Sequence, residues 1–289
     1  SYLVDAQTVR SPNSIGIKYD VKSMSDTDVC DRGNACVVAN LVDNASANAV
    51  EGKENDVFTS TANNDLLKVG ARIQSLDTAQ AVRDALKATS GDFQASVQQA
   101  GMLAAELPMV KVSQRLDRMH FNKEITTGFW MEGFGGVSHL DKTSGGSAPI
   151  KATIGGVMMG YDHQINENLV AGLYAGYSKM NIDGARYNDD GTINSYMVGA
   201  YASYTKDRWN VSAQALYSHQ RIETSRSIFG MNDNISAKYN ANIFAGRVEV
   251  GYDIAQYGHI TVTPYVAATL IHSRSDGFTE RGAVSYTHL

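Results

Sequence analysis

From Thr127 onward, apolar and polar residues alternate with a period of two, as in strands whose two faces meet different surroundings. Trp209, Val211, Ala213, Ala215 and Tyr217 fall on one face. Asn210, Ser212, Gln214, Ser218 and Gln220 fall on the other, with Leu216 the exception. Tyr196, Val198, Ala200, Ala202 and Tyr204 likewise oppose Ser195, Gly199 and Ser203, and Phe244, Val248, Val250 and Tyr252 oppose Arg247, Glu249 and Gly251. An apolar face bounded by Tyr or Trp is what a lipid band with aromatic girdles requires. Seven such strands are predicted, at about 127–138, 151–165, 169–181, 192–205, 209–221, 238–254 and 260–272. Most exceed the ~9–11 residues that cross the hydrocarbon layer at a tilt, whereas soluble strands run to about 5–6.

The connections alternate in length. Long ones span 138–150, 182–191, 222–237 and the segment after His272. Short ones are Asn166-Glu167-Asn168, Lys206-Asp207-Arg208 and 255–259. Outer-membrane barrels have short periplasmic turns and long extracellular loops, so a first strand running outward places every short turn on the periplasmic side. A soluble sandwich has no reason to follow that rule.

Upstream the pattern differs. Residues 1–40 read as short extended segments such as Ser14-Ile15-Gly16-Ile17-Lys18-Tyr19-Asp20-Val21. Residues 41–119 are poor in aromatics and rich in Ala, Gln, Asn and Asp, with helical spacing over 66–86 and 92–119.

Composition narrows the reading further. A net charge of −5 and the lack of any Lys/Arg run leave no basic surface for nucleic acid. No run of ~18 apolar residues supplies a membrane helix, which leaves a barrel untouched. The 26 Gly and 15 Tyr against 4 Pro suit a barrel. The seven histidines stand singly, without metal-ligand spacing, and no nucleophile elbow, P-loop or H-E-x-x-H occurs. No cofactor, metal or catalytic residue is therefore expected. Cys30 and Cys36, enclosing Asp31-Arg32-Gly33-Asn34-Ala35, suit a small disulfide ring in an oxidising compartment. Two unrelated buried thiols are the alternative.

Several segments carry a family resemblance. Ala85-Leu86-Lys87-Ala88-Thr89-Ser90-Gly91-Asp92-Phe93-Gln94-Ala95-Ser96 and Arg115-Leu116 resemble the stretch ahead of autotransporter β-domains. Phe129-Trp130-Met131-Glu132-Gly133-Phe134-Gly135 resembles that family's first strand. Gly155-Gly156-Val157-Met158-Met159-Gly160-Tyr161-Asp162 resembles its second, and Gly172-Leu173-Tyr174-Ala175-Gly176-Tyr177-Ser178 its third. Asp276-Gly277-Phe278-Thr279-Glu280 is similar to the segment after the seventh.

The resemblance implies a translocator of type V secretion in a Gram-negative outer membrane. Its fold class is mainly β, a transmembrane antiparallel β-barrel of which the first seven of twelve strands are present, preceded by a luminal α-helix. The implied division is 1–60 as the end of a passenger, 61–124 as a helical linker with the luminal helix at 92–119, and 125–283 as the partial barrel. Some 28 helical residues at ~1.5 Å each give ~42 Å, enough to thread a bilayer-spanning pore. The implied partners are outer-membrane lipid, the barrel-assembly machinery, periplasmic chaperones and the protein's own passenger, around a monomeric barrel. The chain starts without an initiator Met and reads as an internal piece of a longer protein. Residues 284–289 do not resemble the family's eighth strand. They match one reading frame of a sequencing-library transposon adapter and are expected to be non-native.

Charge on the lipid face of a spanning strand is costly, roughly 2–4 kcal/mol for a basic residue at mid-bilayer, so Glu132, Arg247 and Glu249 are expected to face the lumen. There Arg115 and Arg118 of the helix meet acidic partners, or the charges are simply solvated. Some members of the family resembled here cleave themselves at an Asn-Asn pair inside the barrel. Asn63-Asn64 lies over 60 residues before the first strand, too far upstream to sit in the pore, so a capping or turn role is expected, with cleavage as the alternative. Rival functions are a simple outer-membrane pore or adhesin, and an omptin-like protease with Asp189-Asp190 and His219 at the rim.

Overall fold

The computed structural model describes residues 1–11, 14–25, 28–30, 33–51, 60–122, 127–141, 148–184, 189–228, 233–257 and 260–277. Residues 284–289, expected above to be non-native, lie outside the described residues.

The N-terminal part holds β1 (Val4–Ser11), β2 (Ser14–Val21), α1 (Asn34–Glu51), α2 (Ser60–Gln74) and α3 (Ala79–Thr89). A long helix α4 (Asp92–Asn122) follows, and then β3 (Gly128–Leu140), β4 (Ile150–Asn166), β5 (Leu169–Gly184), β6 (Asp190–Lys206), β7 (Trp209–Ile228) and β8 (Asp233–Tyr252). The short strands β9 (Ala255–Tyr257) and β10 (Ile260–Val262) lead into β11 (Tyr265–Ser275).

Seven strands form one antiparallel meander, in the order β11-β8-β7-β6-β5-β4-β3. The sheet curls round α4 without closing, so β3 and β11 are its edges. Alternation assigns the faces as the sequence predicts. Trp130, Met158, Tyr174, Tyr201, Leu216 and Ile243 point inward and are buried, while Phe129, Leu173, Val198 and Val248 point outward and are exposed. Outward aromatics form two rows. Phe129 meets Tyr161, and Trp209 meets Tyr252, at the short-turn end. Tyr177 meets Tyr196, and Tyr217 meets Phe244, further up. Eight residues separate Trp209 from Tyr217. That is ~26 Å along a strand and about 20 Å vertically after a tilt of ~40°, close to the apolar band of such barrels.

The structure departs from the sequence reading in four places. The connection read at 222–237 is largely strand: β7 runs to Ile228 and β8 starts at Asp233, paired from Ile228↔Asp233 inward. Glu223, Ser225 and Ser227 give this extension no apolar outward face, so hydropathy misses a ladder that stands above the lipid. The last hairpin is longer than read. From Ala255 to Gly251 is four steps, while from Val262 to Tyr265 is three, so one extra residue bulges beside Pro264, which has no N–H to donate. The helical span at 66–86 divides in two, with Thr78 capping α3 by accepting from the Ala81 N–H at 3.1 Å. Finally, α1 begins at Asn34, inside the region read as extended. Val37 and Val38 favour strand locally, but Ala35, Ala39 and Val42 at helical spacing bury against Val69, Ile73, Val82 and Leu86. Tertiary burial outweighs the weak local preference.

That N-terminal cluster takes in Ile235 from the outer end of β8. The N-terminal elements therefore rest on the long-loop mouth of the sheet.

Candidate functional site: the plugged lumen

Helix α4 fills the concave face. At 31 residues it is ~46 Å long. Its small and apolar residues Val97, Ala100, Ala104, Ala105, Met109, Val112 and Leu116 pack on inward-pointing Met180, Ile182, Ile193, Met197 and Ile243. Each fully buried large apolar side chain contributes ~1.5–3 kcal/mol. Pro108 lies inside the helix and deprives the Ala104 carbonyl of its usual donor, yet the helix continues because the surrounding wall holds it.

Polar contacts fix its direction. At the outer end, Gln94 donates to Thr224 at 3.0 Å and Ser96 donates to the Ala148 carbonyl at 2.7 Å. Midway, Gln220 donates to the Gly101 carbonyl at 2.9 Å, and Gln214 donates to the Met109 carbonyl at 3.1 Å and to the Ser113 hydroxyl at 2.9 Å. At the inner end, His120 lies 3.2 Å from Asp253, which also accepts from Thr263 at 2.6 Å. The helix N-terminus thus stands at the mouth with the long connections and its C-terminus at the short turns.

The strongest cluster lies low in the lumen. Arg115 donates through Nε at 3.1 Å and Nη2 at 2.5 Å to Oδ2 of the fully buried Asp162. Tyr201 donates to the other carboxylate oxygen, Trp130 donates to the Tyr201 hydroxyl at 2.9 Å, and the Arg115 guanidinium lies 4.8 Å from the Trp130 ring. The Tyr201 ring can lie where it does because residue 172 is glycine: a Cβ there would sit 2.3 Å from the ring.

The residues singled out by sequence land as follows. Glu132 faces the lumen, 3.0 Å from Arg118 and 3.8 Å from Lys111. Arg247 and Glu249 also face inward and pair with each other at 2.8 Å. Cys30 and Cys36 form a disulfide with Cα atoms 5.3 Å apart, Cys36 standing in the first turn of α1. Asn63 and Asn64 lie in α2, which packs on α1 and α3 and is not part of the luminal helix. His219 occupies an outward position bonded to Asn242 at 2.9 Å, six residues along β7 from Ser225, the partner of Asp190. The omptin-like grouping is not assembled. Asp162, Tyr201, Gln214 and Gln220 were missed, although a carboxylate at an inward position of an otherwise apolar strand was a usable signal.

A seven-stranded meander with outward aromatic rows and a helix through its lumen invites comparison with known barrels. The model of the autotransporter β-domain family matches residues 129–288. This chain belongs to that family. The chain is similar to the extracellular serine protease of Serratia marcescens, 24% identical over 216 residues, or 72% of this chain and 20% of that protein. It is similar to esterase EstA of Pseudomonas aeruginosa at 28% identity, over 52% of this chain and 24% of that one. It is also similar to outer membrane protein B of Rickettsia rickettsii at 27% identity, over 55% and 10%. The chain thus spans between about a tenth and a quarter of the curated relatives it matches. Among solved structures, the translocator domain of autotransporter NalP from Neisseria meningitidis superimposes with a TM-score of 0.56 at 16% identity, covering 68% of this chain and 66% of that one. That likeness is one of fold. Family and relatives place this autotransporter β-domain in the bacterial outer membrane.

Proposed function

We propose that this β-domain carries the chain preceding α4 to the cell surface and then anchors it there, with α4 left in the lumen as the plug. The observation supporting this most directly is the direction of α4. Gln94 meets Thr224 at the outer mouth, His120 meets Asp253 at the inner one, and the N-terminal elements lie on the outer rim. The preceding chain is the passenger, and the β-domain supplies no catalytic group of its own. Its relatives named protease and esterase suggest that any enzymatic activity belongs to a passenger.

Periplasmic chaperones and the barrel-assembly machinery are the proposed partners. Unpaired edge N–H and C=O groups, such as those of β3 and β11, are not tolerated in lipid, so these strands need cover until a monomeric barrel closes. The test is protease treatment of intact cells. A segment upstream of Asp92 is cleaved on whole cells if the chain is a translocator, and stays protected if the protein is only a pore.

A further inference from the structure

Among the buried polar atoms of the lumen that make no hydrogen bond to any described group are five on neighbouring strands: the hydroxyls of Ser178, Ser195 and Ser218, and the side-chain amide oxygens of Gln214 and Gln220. All five residues point inward and are more than nine-tenths buried under α4. They are not scattered. Ser178 lies opposite Ser195, and Ser195 opposite Gln220, in one transverse row across β5, β6 and β7. Gln214 and Ser218 stand below that row on β7.

An unsatisfied buried acceptor is costly, and a wall shaped only to hold this helix would carry alanine or valine instead. What the helix does use is informative. Gln220 and Gln214 each donate an N–H to a main-chain carbonyl, of Gly101 and Met109, and Arg226 higher on β7 donates to the Ala88 carbonyl. All three grip peptide groups. Gly101 is part of the fit, because a Cβ there would lie 2.7 Å from Gln220 Oε1.

A side-chain amide carries the same donor and acceptor pair as a peptide unit. A helix has already used its N–H groups internally and offers only carbonyls, so half of each glutamine stays unmatched. An extended chain offers both N–H and C=O, and it satisfies both halves. Serine hydroxyls, which donate and accept, extend the same match around the row.

We infer that the luminal face of β7, with Ser178 and Ser195 beside it, is a binding strip for the main chain of an extended polypeptide in transit. Its ligand class is the peptide backbone, recognised irrespective of side chains, and α4 is the last and poorest-matched occupant. The inference rests on the translocator reading.

The test uses the full-length protein in cells. Q214L/Q220L, and separately S178A/S195A, are followed by pulse-chase for arrival of the passenger at the surface, with heat-modifiable migration as the check on barrel assembly. The strip predicts in both a half-time lengthened about fivefold or more, roughly the loss of one net hydrogen bond, and in S178A/S195A, whose hydroxyls make no bond to the helix, seating of α4 is unchanged. Unchanged half-times in assembled variants overturn it, and so does a loss of α4 seating that accounts for the delay. A second measurement does not depend on those variants. Ser195→Cys, a near-isosteric change, is cross-linked by a short bis-maleimide to a passenger stalled by a folded insert. Cross-links to cysteines placed at successive passenger positions, whatever their neighbours, support the strip. A stalled passenger that yields none removes it. If the parent protein never displays its passenger, the translocator reading fails first and the strip falls with it.

Discussion

Arg115 and Asp162, 47 positions apart in sequence, meet at 2.5 Å between the helix and the barrel wall, with the aspartate fully buried. The remaining carboxylate oxygen is taken by Tyr201, so the buried charge is fully used. An ion pair of this kind adds little over an apolar pair, but breaking one side is costly. Arg115→Met is expected to destabilise the plugged barrel by about 3–5 kcal/mol. It should lower the urea midpoint of the heat-modifiable form, with partial recovery in Arg115→Met/Asp162→Asn.

Glu132 provides the contrast. Its partner Arg118 is 58% exposed, and Lys111, half-buried, stands off at 3.8 Å. Exposed pairs contribute under about 1 kcal/mol. Glu132→Leu should therefore leave α4 retention and the urea midpoint nearly unchanged, measured beside Arg115→Met.

Gly172→Ala tests the close approach beneath Tyr201. A methyl 2.3 Å from the ring forces the tyrosine away and breaks its bond to Asp162. Overpacking costs about 1–3 kcal/mol. The companion Tyr201→Phe, which removes only the hydroxyl, should reproduce the lost bond without the clash.

The outer rim should respond to pH. Burial pushes the Asp189 carboxyl up to about 6, against the opposing pull of Arg226 and of a hydrogen bond from the Ser227 backbone. A raised carboxyl pKa means that the closed rim holds its proton when an opened one does not. Stability is then greatest at low pH and is lost as pH rises through the window from 3.8 to about 6. Between about pH 5 and pH 7.5 the closed rim should therefore lose stability. Hydrogen exchange at Gly184, whose N–H donates to the Asp189 carbonyl, should speed up accordingly, and Asp189→Asn should flatten the response.

The lipid face was legible because its contrast is local. Trp209, Val211 and Ala213 against Asn210, Ser212 and Gln214 need no knowledge of the rest of the chain. The rim extension of β7 was not, because Glu223 and Ser225 face water and carry no apolar signal. The start of α1 was hidden for a different reason: Val37 and Val38 favour strand, and only the distant Ile73 and Leu86 reveal the buried face. The luminal pairs were half legible. Glu132, Arg247 and Glu249 announce themselves as charges inside strands. Which helix residue meets which wall residue depends on the rotation of α4, and hydropathy carries no trace of that. Arg115 therefore meets Asp162 rather than Glu132.

The central claim is that α4 threads the sheet with its N-terminal end outside. Both native cysteines are in the disulfide, so single introduced thiols report cleanly. Asp77, whose side chain is 92% exposed, lies between α2 and α3, and Asp207 lies in the short turn between β6 and β7. In intact cells a membrane-impermeant maleimide should label Asp77→Cys and leave Asp207→Cys unlabelled until the outer membrane is permeabilised. Labelling of Asp207→Cys in intact cells, with Asp77→Cys protected, would contradict the account.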